Sequence, residues 1–319
     1  MSIALDPALA NLGRKEREGG QLPLTLKRFR EHCGDLSVIG AMQRAAADVL
    51  RHYARQMPRR TPRISADMLC RICEIAVEGA IPSHSRGRNT YSVSGGSQQH
   101  PGHTGAIYLD PHRSRIRLPP GLDRARARVA VAHELGHYLI HRRGGTLDAL
   151  TIRLPSSVEE EALSEYAARL LLLPEPLGRQ ESTGENVASR CLEIAHSSDV
   201  TLHSAAARLG DPDHPERSGL KGIILWRLHP KVSADQPVPA RLTPQWHLCP
   251  DVFIPIQRCH ANRDSLIAEL ASRDGTTASG TREELVNIGS LKGSYRVEAV
   301  AWGSVRRGSR LVLAAFLER

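Results

Sequence analysis

Aromatic residues are scarce in this chain of 319 residues, at 4% of the composition. Proteins that bind single-stranded nucleic acid commonly stack its bases on aromatic side chains that lie among basic ones. Here the arginines are spread along the whole chain with few aromatics between them. Zinc-finger, helix-turn-helix and RNA-recognition signatures are missing as well. The net charge of +9 is compatible with nucleic acid as a partner, but a basic surface without such a partner is the simpler interpretation.

Long hydrophobic runs are also missing. No apolar run approaches the roughly 20 residues that a helix needs to cross a bilayer, so we expect no membrane-spanning segment. The segment Met1–Gly20 has Asp6 inside its one short apolar stretch and then turns polar and basic, which does not fit a secretory signal peptide. We therefore expect a cytoplasmic protein.

Cysteine is sparse, with six residues and none of the dense, even spacing of a disulfide framework. Cys70 and Cys73 form a C-x-x-C pair. A structural zinc site of this kind needs a second matched pair, and the sequence contains none. We predict that both cysteines are reduced, buried thiols.

Apolar residues recur at the spacing of a helix or a strand through much of the first two thirds of the chain. The predicted helices are Ser37–Gln56, Ser65–Val77, Arg124–His141, Val158–Leu172 and two more within Asn186–Leu209. Two short extended runs, Ala106–Leu109 and Arg115–Leu118, flank turn-forming residues and predict a β-hairpin directly before the helix that starts at Arg124.

The pattern changes after Leu209. Residues 211–219 are rich in Pro, Asp and Gly, which indicates a domain boundary. Strand-like runs follow it, and they predict a small α+β module. These runs are Ile223–Leu228, Val252–Ile256, Tyr295–Val305 and Arg310–Leu317.

Residues 133–137 read H-E-L-G-H inside a predicted helix. Residues four apart share a helix face, so His133 and His137 can bind one ion at about 2.0 to 2.1 Å. Glu134 lies about 100° further around the helix, beside the ion. H-E-x-x-H on a helix is typical of zinc peptidases, in which the ion acidifies a bound water and the glutamate accepts its proton. The sequence identifies no oxyanion donor, and Tyr166 and His203 are the candidates that we consider.

Catalytic zinc needs a third protein ligand. His141 is excluded, because eight residues of helix separate it from His133 by about 12 Å of rise. The next candidates are the acidic cluster Glu159–Glu161 at the start of the following helix and Glu165 one turn later. Glu165 could orient a ligating histidine without touching the metal. The alternative for any one of these acids is that it complements the helix dipole.

Two segments resemble the ImmA/IrrE family of metallopeptidases. Residues 128–137 read R-V-A-V-A-H-E-L-G-H, which is similar to R-F-T-x-A-H-E-x-G-H in the family. The segment Glu161–Pro174 is similar to E-x-x-A-N-x-F-A-x-x-L-L-M-P. Alignment on Pro174 makes Glu161 the third ligand, whereas alignment on Tyr166 makes Glu160 the ligand. We adopt Glu161 and keep Glu160 as the alternative.

The resemblance covers about Ile64–Gly210 and implies a compact zincin-like α+β fold. It implies Zn2+ held by His133, His137 and Glu161, with Glu134 as general base and acid. It further implies an endopeptidase that cleaves a cytoplasmic regulator, often a helix-turn-helix repressor, during stress or mobile-element induction. The alternative is a stress-response regulator that binds nucleic acid or a ligand and uses the zincin core without proteolysis.

These expectations divide the chain into three parts. Residues 1–60 hold a polar tail and a helical extension, residues 61–210 a zincin-like metallopeptidase domain, and residues 219–319 a C-terminal α+β module with a regulatory role. The hairpin before the metal helix is expected to capture an extended peptide by strand addition.

Overall fold

The computed structural model describes residues 5–34, 37–57, 63–79, 106–108, 114–145, 157–174, 186–211, 219–229, 241–248, 261, 264–273, 277–288, 291–303 and 310–318. These residues form two compact units. The first unit contains Ala8–Glu181 and Ile194–Arg208, and the second contains Ser182–Glu193 and Leu209–Arg319. Helices and strands both contribute substantially, so the predicted α+β class is confirmed.

The elements follow one another in an order that places helices first and most strands last. They are α1 (Leu5–Arg17), α2 (Leu24–Cys33), α3 (Val38–Gln56), α4 (Ala66–Ile72), β1 (Ala76–Glu78), β2 (Ala106–Tyr108), β3 (Arg115–Arg117), α5 (Arg124–Arg143), α6 (Val158–Leu172), α7 (Val187–Ser198), α8 (Leu202–Leu209), β4 (Leu220–His229), β5 (Arg241–Leu248), α9 (Leu266–Ser272), β6 (Ala278–Ile288), β7 (Leu291–Trp302) and β8 (Leu311–Leu317). None of the described helices is long and apolar enough to cross a bilayer.

The first 60 residues, expected to include a polar tail, form α1, α2 and α3 in the described part of the chain. Leu9, Leu12, Leu26 and Phe29 are buried, so α1 and α2 belong to the core of the first unit. The spacing of Leu26, Phe29 and Cys33 by three and four residues is a helical signal that charged neighbours obscure.

The prediction of a helix over Ser65–Val77 is wrong for the second half of this segment. Ser65 caps it as expected, through a bond from the Met68 amide, but α4 ends at Ile72. Glu74 has a φ of 57°, a left-handed conformation that stops a helix. The chain then continues as β1, which pairs in parallel with β3. The partner strand lies some 40 residues away in sequence, and local periodicity carries no information about it.

Helices α5 and α6 are the centre of the first unit. Asp123 accepts a hydrogen bond from the Arg126 amide and caps α5, and Ser157 caps α6 in the same way. Helix α5 packs against α2, α3, α4, α6 and β2, which explains why it is buried on nearly every side. Both helices thereby become rigid supports for their side chains.

The predicted β-hairpin is present as β2 and β3, although Leu109 and the turn residues 110–113 lie outside the described residues. The strand order is β1-β3-β2, so β3 is paired on both sides and β2 is an outer strand among the described ones. Strand addition, expected for the hairpin, is therefore possible at β2 and not at β3.

In the second unit, five antiparallel strands form a sheet in the order β5-β4-β8-β7-β6. Helix α9 covers one face, where buried side chains such as Trp226, Leu270 and Phe316 form a core. The predicted strands at Ile223–Leu228, Tyr295–Val305 and Arg310–Leu317 correspond to β4, β7 and β8. The strand predicted at Val252–Ile256 lies outside the described residues, and α9, β5 and β6 were not predicted.

Cys70 and Cys73 are buried and not disulfide-bonded. Burial raises the pKa of the Cys70 thiol to about 12 and that of Cys73 to about 11. At pH 8 fewer than about one in a thousand of either is a thiolate, the form that reacts. We expect both to react with iodoacetamide at least about 100-fold more slowly than an exposed cysteine, as measured by peptide mapping. Both must label once urea unfolds the protein, and rapid labelling of the native protein would contradict this.

Candidate metal centre

The two histidines of the H-E-x-x-H segment lie on one face of α5, as their spacing predicts. The Nε2 atoms of His133 and His137 are 3.2 Å apart, and the ring planes are inclined by 72°. The two rings therefore direct the same nitrogen toward a common point. His137 is 7% exposed, so its ring is largely shielded from solvent.

Glu161 approaches both histidines from α6. Its Oε2 atom lies 3.2 Å from Nε2 of His133, and its Oε1 atom lies 3.6 Å from Nε2 of His137. One ligand atom from each of these three residues lies within 4.8 Å of the others, and among the described residues this is the one such cluster. The geometry thus brings together the three residues expected as metal ligands.

Glu160, the alternative third ligand, contacts the opposite side of His137. Its Oε1 atom lies 3.0 Å from Nδ1 of His137 and 3.0 Å from Nε2 of His141. His141, excluded above as a ligand of the same ion as His133, is thus a partner of Glu160. A one-residue step along α6 rotates a side chain by about 100°, which explains why Glu160 and Glu161 meet different faces of one imidazole.

Glu165 lies one helical turn after Glu161 and contacts the other nitrogen of His133, at 3.4 Å from Nδ1. It was expected to orient a ligating histidine, and its position is compatible with that role. Helices α5 and α6 run in opposite directions, because His133 contacts Glu165 whereas His141, further along α5, contacts Glu160.

The carboxylates favour positive charge at this centre. Burial would lower the pKa of His133, but Glu161 and Glu165 outweigh it and raise the pKa to about 10. Burial would raise the pKa of Glu160, yet His137 and His141 hold it at about 2. The carboxylates therefore favour a proton on His133, which a divalent cation can displace.

A zinc ion fits this donor set. Ligand atoms about 2.0 to 2.1 Å from a tetrahedral ion are roughly 3.3 to 3.4 Å from one another. The two imidazole nitrogens are 3.2 Å apart, and the carboxylate oxygens of Glu161 that lie nearest to them are at 3.2 Å (Oε2 to His133) and 3.6 Å (Oε1 to His137), all close to that value. Two imidazoles and one carboxylate also form a ligand set that catalytic zinc uses in proteins. The residues present can hold the ion without rearrangement of the helices.

Glu134 is 7% exposed, and its negative charge contributes to the raised pKa of His133. It therefore lies beside the centre without joining the three-residue cluster. Of the two residues considered as oxyanion donors, Tyr166 is tied to α3, since its hydroxyl accepts a hydrogen bond from Gln43. Burial would raise the pKa of Glu165, but His133, Arg169 and His203 lower it, which places His203 near the centre.

Three arginines crowd the start of α5, where the helix dipole disfavours cations. Asp199 compensates two of them, at 2.7 Å from Arg124 and 3.8 Å from Arg128. Asp123 lies 3.3 Å from Arg126. Arg128 also donates to the carbonyl oxygen of Ile64 at 2.7 Å. These ion pairs account for the basic cluster without a nucleic-acid partner.

An H-E-x-x-H segment on one helix with a glutamate from a second helix is an arrangement that zinc peptidases use. Residues 97–209 match the family model described as Peptidase_M78, the IrrE N-terminal-like domain. The resemblance to this family drawn from the sequence is confirmed for these residues.

No curated protein matches the sequence. Among solved structures, a chain described as a Mycobacterium tuberculosis transcriptional regulator is similar with 13% identity, over 93% of this chain and 82% of that chain, at a TM-score of 0.45.

Proposed function

We propose that this protein is a zinc-dependent endopeptidase that cleaves a regulatory protein. The observation that carries the proposal is the convergence of His133, His137 and Glu161, with Glu134 beside them. The metallopeptidase family of residues 97–209 supports it independently.

Each residue has a separate task in this proposal. His133, His137 and Glu161 would hold zinc. The bound ion supplies positive charge that acidifies a water molecule and polarises the scissile carbonyl group. Glu134 accepts the proton of the attacking water and passes it to the nitrogen of the leaving amine. Glu134 is 7% exposed, so its carboxylate is largely shielded from bulk water.

We infer that β2 binds the substrate backbone. Leu118 donates to the carbonyl oxygen of Glu78, and Ala76 donates to that of Ser114, so the backbone groups of even-numbered residues in β3 face β1. The odd-numbered residues of β3 then face β2, where Arg115 and Arg117 pair with Tyr108 and Ala106.

The backbone N–H and C=O groups of Ile107 consequently point away from β3, because successive residues of a strand alternate. Among the described strands, none pairs with β2 on that side. Strand β2 also packs against α5, the helix that carries Glu134. A peptide added to β2 would therefore run next to the metal helix.

Replacing Ile107 by proline tests this arrangement. The substitution removes an N–H group that faces outward and leaves the hydrogen bonds between β2 and β3 in place. We expect cleavage to fall about 10-fold, chiefly through a higher KM, because one backbone hydrogen bond to the substrate is lost. Ile107→Val serves as the control, and bound zinc is measured in both. Unchanged cleavage by the proline variant removes β2 from the proposal.

The metal site is tested by the zinc content of the purified protein. We expect one zinc per chain in the wild type and a fall in affinity of at least about 1,000-fold in Glu161→Gln, since a charged ligand becomes neutral. Glu159→Gln is the matched control, because Glu159 is the neighbouring acid that pairs with Lys15 at 2.5 Å. Equal zinc binding by all three proteins would contradict the assignment of Glu161.

The substrate class is tested with helix-turn-helix repressors encoded beside the gene of this protein. We expect zinc-loaded protein to cleave one of them at a single region and a chelator to stop the reaction. Binding of such a repressor without cleavage would favour the regulatory alternative, in which the zincin core acts only as a scaffold.

A further inference from the structure

His141 and Glu160 form a buried pair that the hydrolytic scheme does not use. His141 follows His137 by one helical turn, and its side chain is 12% exposed. The Glu160 side chain is 8% exposed. Taking a carboxylate out of water costs free energy unless hydrogen bonds compensate it. The compensation here comes from two imidazoles, each 3.0 Å from the same oxygen, Oε1.

The contact with Glu160 selects one tautomer of His137. A neutral imidazole has one N–H group and one lone pair, and a carboxylate oxygen can only accept. Nδ1 of His137 must therefore carry the hydrogen that it donates to Glu160. Nε2 is then left with its lone pair, and it is this atom that faces His133 and Glu161.

His141 holds the carboxylate in that position. Its Nε2–H group donates to the oxygen that also accepts from His137, so the rotation of the Glu160 side chain is limited from two sides. The Ser157 hydroxyl accepts from the backbone amide of Glu160 at 3.1 Å, which fixes the main chain at the same point. The corresponding contact of His133, 3.4 Å from Nδ1 to Glu165, is an ion-pair distance without the geometry of a hydrogen bond.

We propose that Glu160, braced by His141, is a positioning residue that sets the tautomer and ring orientation of His137 for metal binding. The proposal rests on the proposed function only in that His133, His137 and Glu161 are the ligands. It assigns Glu160 no contact with the metal. Two successive hydrogen bonds thus link His141 to Glu160 and Glu160 to His137.

The test is the zinc dissociation constant, measured by competition with a chromophoric chelator and without any peptide substrate. Loss of a carboxylate that supports a metal-bound histidine weakens metal binding by about 10 to 100-fold. We expect this loss for Glu160→Gln, with one zinc still bound at saturation, and no change for the control Glu159→Gln. The melting temperature of the protein stripped of metal reports on folding alone and is expected to change by only a few degrees.

His141→Gln supplies a second, milder variant and a double-mutant cycle. We expect it to weaken zinc binding several-fold in the wild type and to have no effect in the Glu160→Gln background, because His141 acts through Glu160. If His141→Gln weakened zinc binding equally in both backgrounds, His141 would not act through Glu160, and the proposed role of His141 would be wrong.

Two further results would overturn the role of Glu160. A zinc dissociation constant within twofold of the wild type in Glu160→Gln means that the contact does not orient His137. If Glu160→Gln binds no zinc while Glu161→Gln binds it normally, Glu160 is itself the ligand. Failure of the proposed function is distinguishable, because a wild type that binds zinc and cleaves no protein contradicts proteolysis and leaves these affinities interpretable.

Discussion

Replacing Glu134 with glutamine is expected to lower peptide cleavage by at least about 100-fold, and up to about 10,000-fold, while one zinc per chain stays bound. The amide has nearly the size of the carboxylate but cannot accept the proton of the attacking water. Glu134 is not a member of the three-residue cluster, so its loss leaves the donor atoms intact. The measurements are kcat/KM on a cleaved regulator and zinc content by mass spectrometry.

The control for this variant is Glu159→Gln, which removes the same charge from an acid outside the cluster. It is expected to cleave at the rate of the wild type. If Glu134→Gln and the wild type had the same biological activity, with zinc bound in both and no cleavage in either, the regulatory alternative would replace proteolysis. Cleavage by the variant at the wild-type rate would remove Glu134 as the general base.

The substitution Gly136→Ala is expected to disturb both the fold and the metal centre. A Cβ atom at this position would lie 2.7 Å from Cα of Ser164 and 2.8 Å from its carbonyl oxygen. Both are backbone atoms of α6, so no side-chain rotation can relieve the contact, and α6 must move away from α5. Glu161 lies one turn before Ser164 on the same helix, and it would move with it.

For Gly136→Ala we expect a loss of about 1 to 3 kcal/mol in the free energy of unfolding, as for other overpacked interfaces. This outweighs the gain of up to about 1 kcal/mol that alanine has over glycine inside a helix. Zinc affinity should fall together with stability, because the three donors no longer converge. Chemical denaturation and chelator competition measure the two effects.

Gly13 in α1 offers the matched control, since a Cβ atom there would meet its nearest neighbours at 3.6 and 3.7 Å, an ordinary contact distance. Gly13→Ala is expected to leave zinc binding unchanged and to stabilise the protein by up to about 1 kcal/mol. If Gly136→Ala behaved in the same way, the close approach of α5 and α6 would not set the geometry of the centre.

Local sequence determined the parts of this protein that depend on helix geometry. The spacing of His133 and His137 places them on one face wherever the segment is helical. The same rise per residue excludes His141 as a third ligand of that ion. Asp123, Ser65 and Ser37 cap their helices through their own side chains, a contact that spans three residues and is therefore visible in the sequence.

Other features depend on partners far away in the chain, and periodicity says nothing about them. Residues 76–78 continue an apolar pattern that predicts a helix, yet they form β1, which pairs with β3. Charged residues lie among the apolar ones in helices α1 and α2, so their sequences do not show which residues are buried. The packing of the first unit shows that Leu12 and Phe29 are buried.

The choice between Glu160 and Glu161 shows most clearly what local sequence determines and what tertiary packing decides. The sequence alone determined that acids lie at the start of α6 and that two histidines lie on one face of α5. Which acid meets which nitrogen was decided by the rotation and axial position of α6 against α5, set where Gly136 contacts Ser164. Neighbouring helix residues differ by about 100° in direction, so a small change in that packing exchanges their roles.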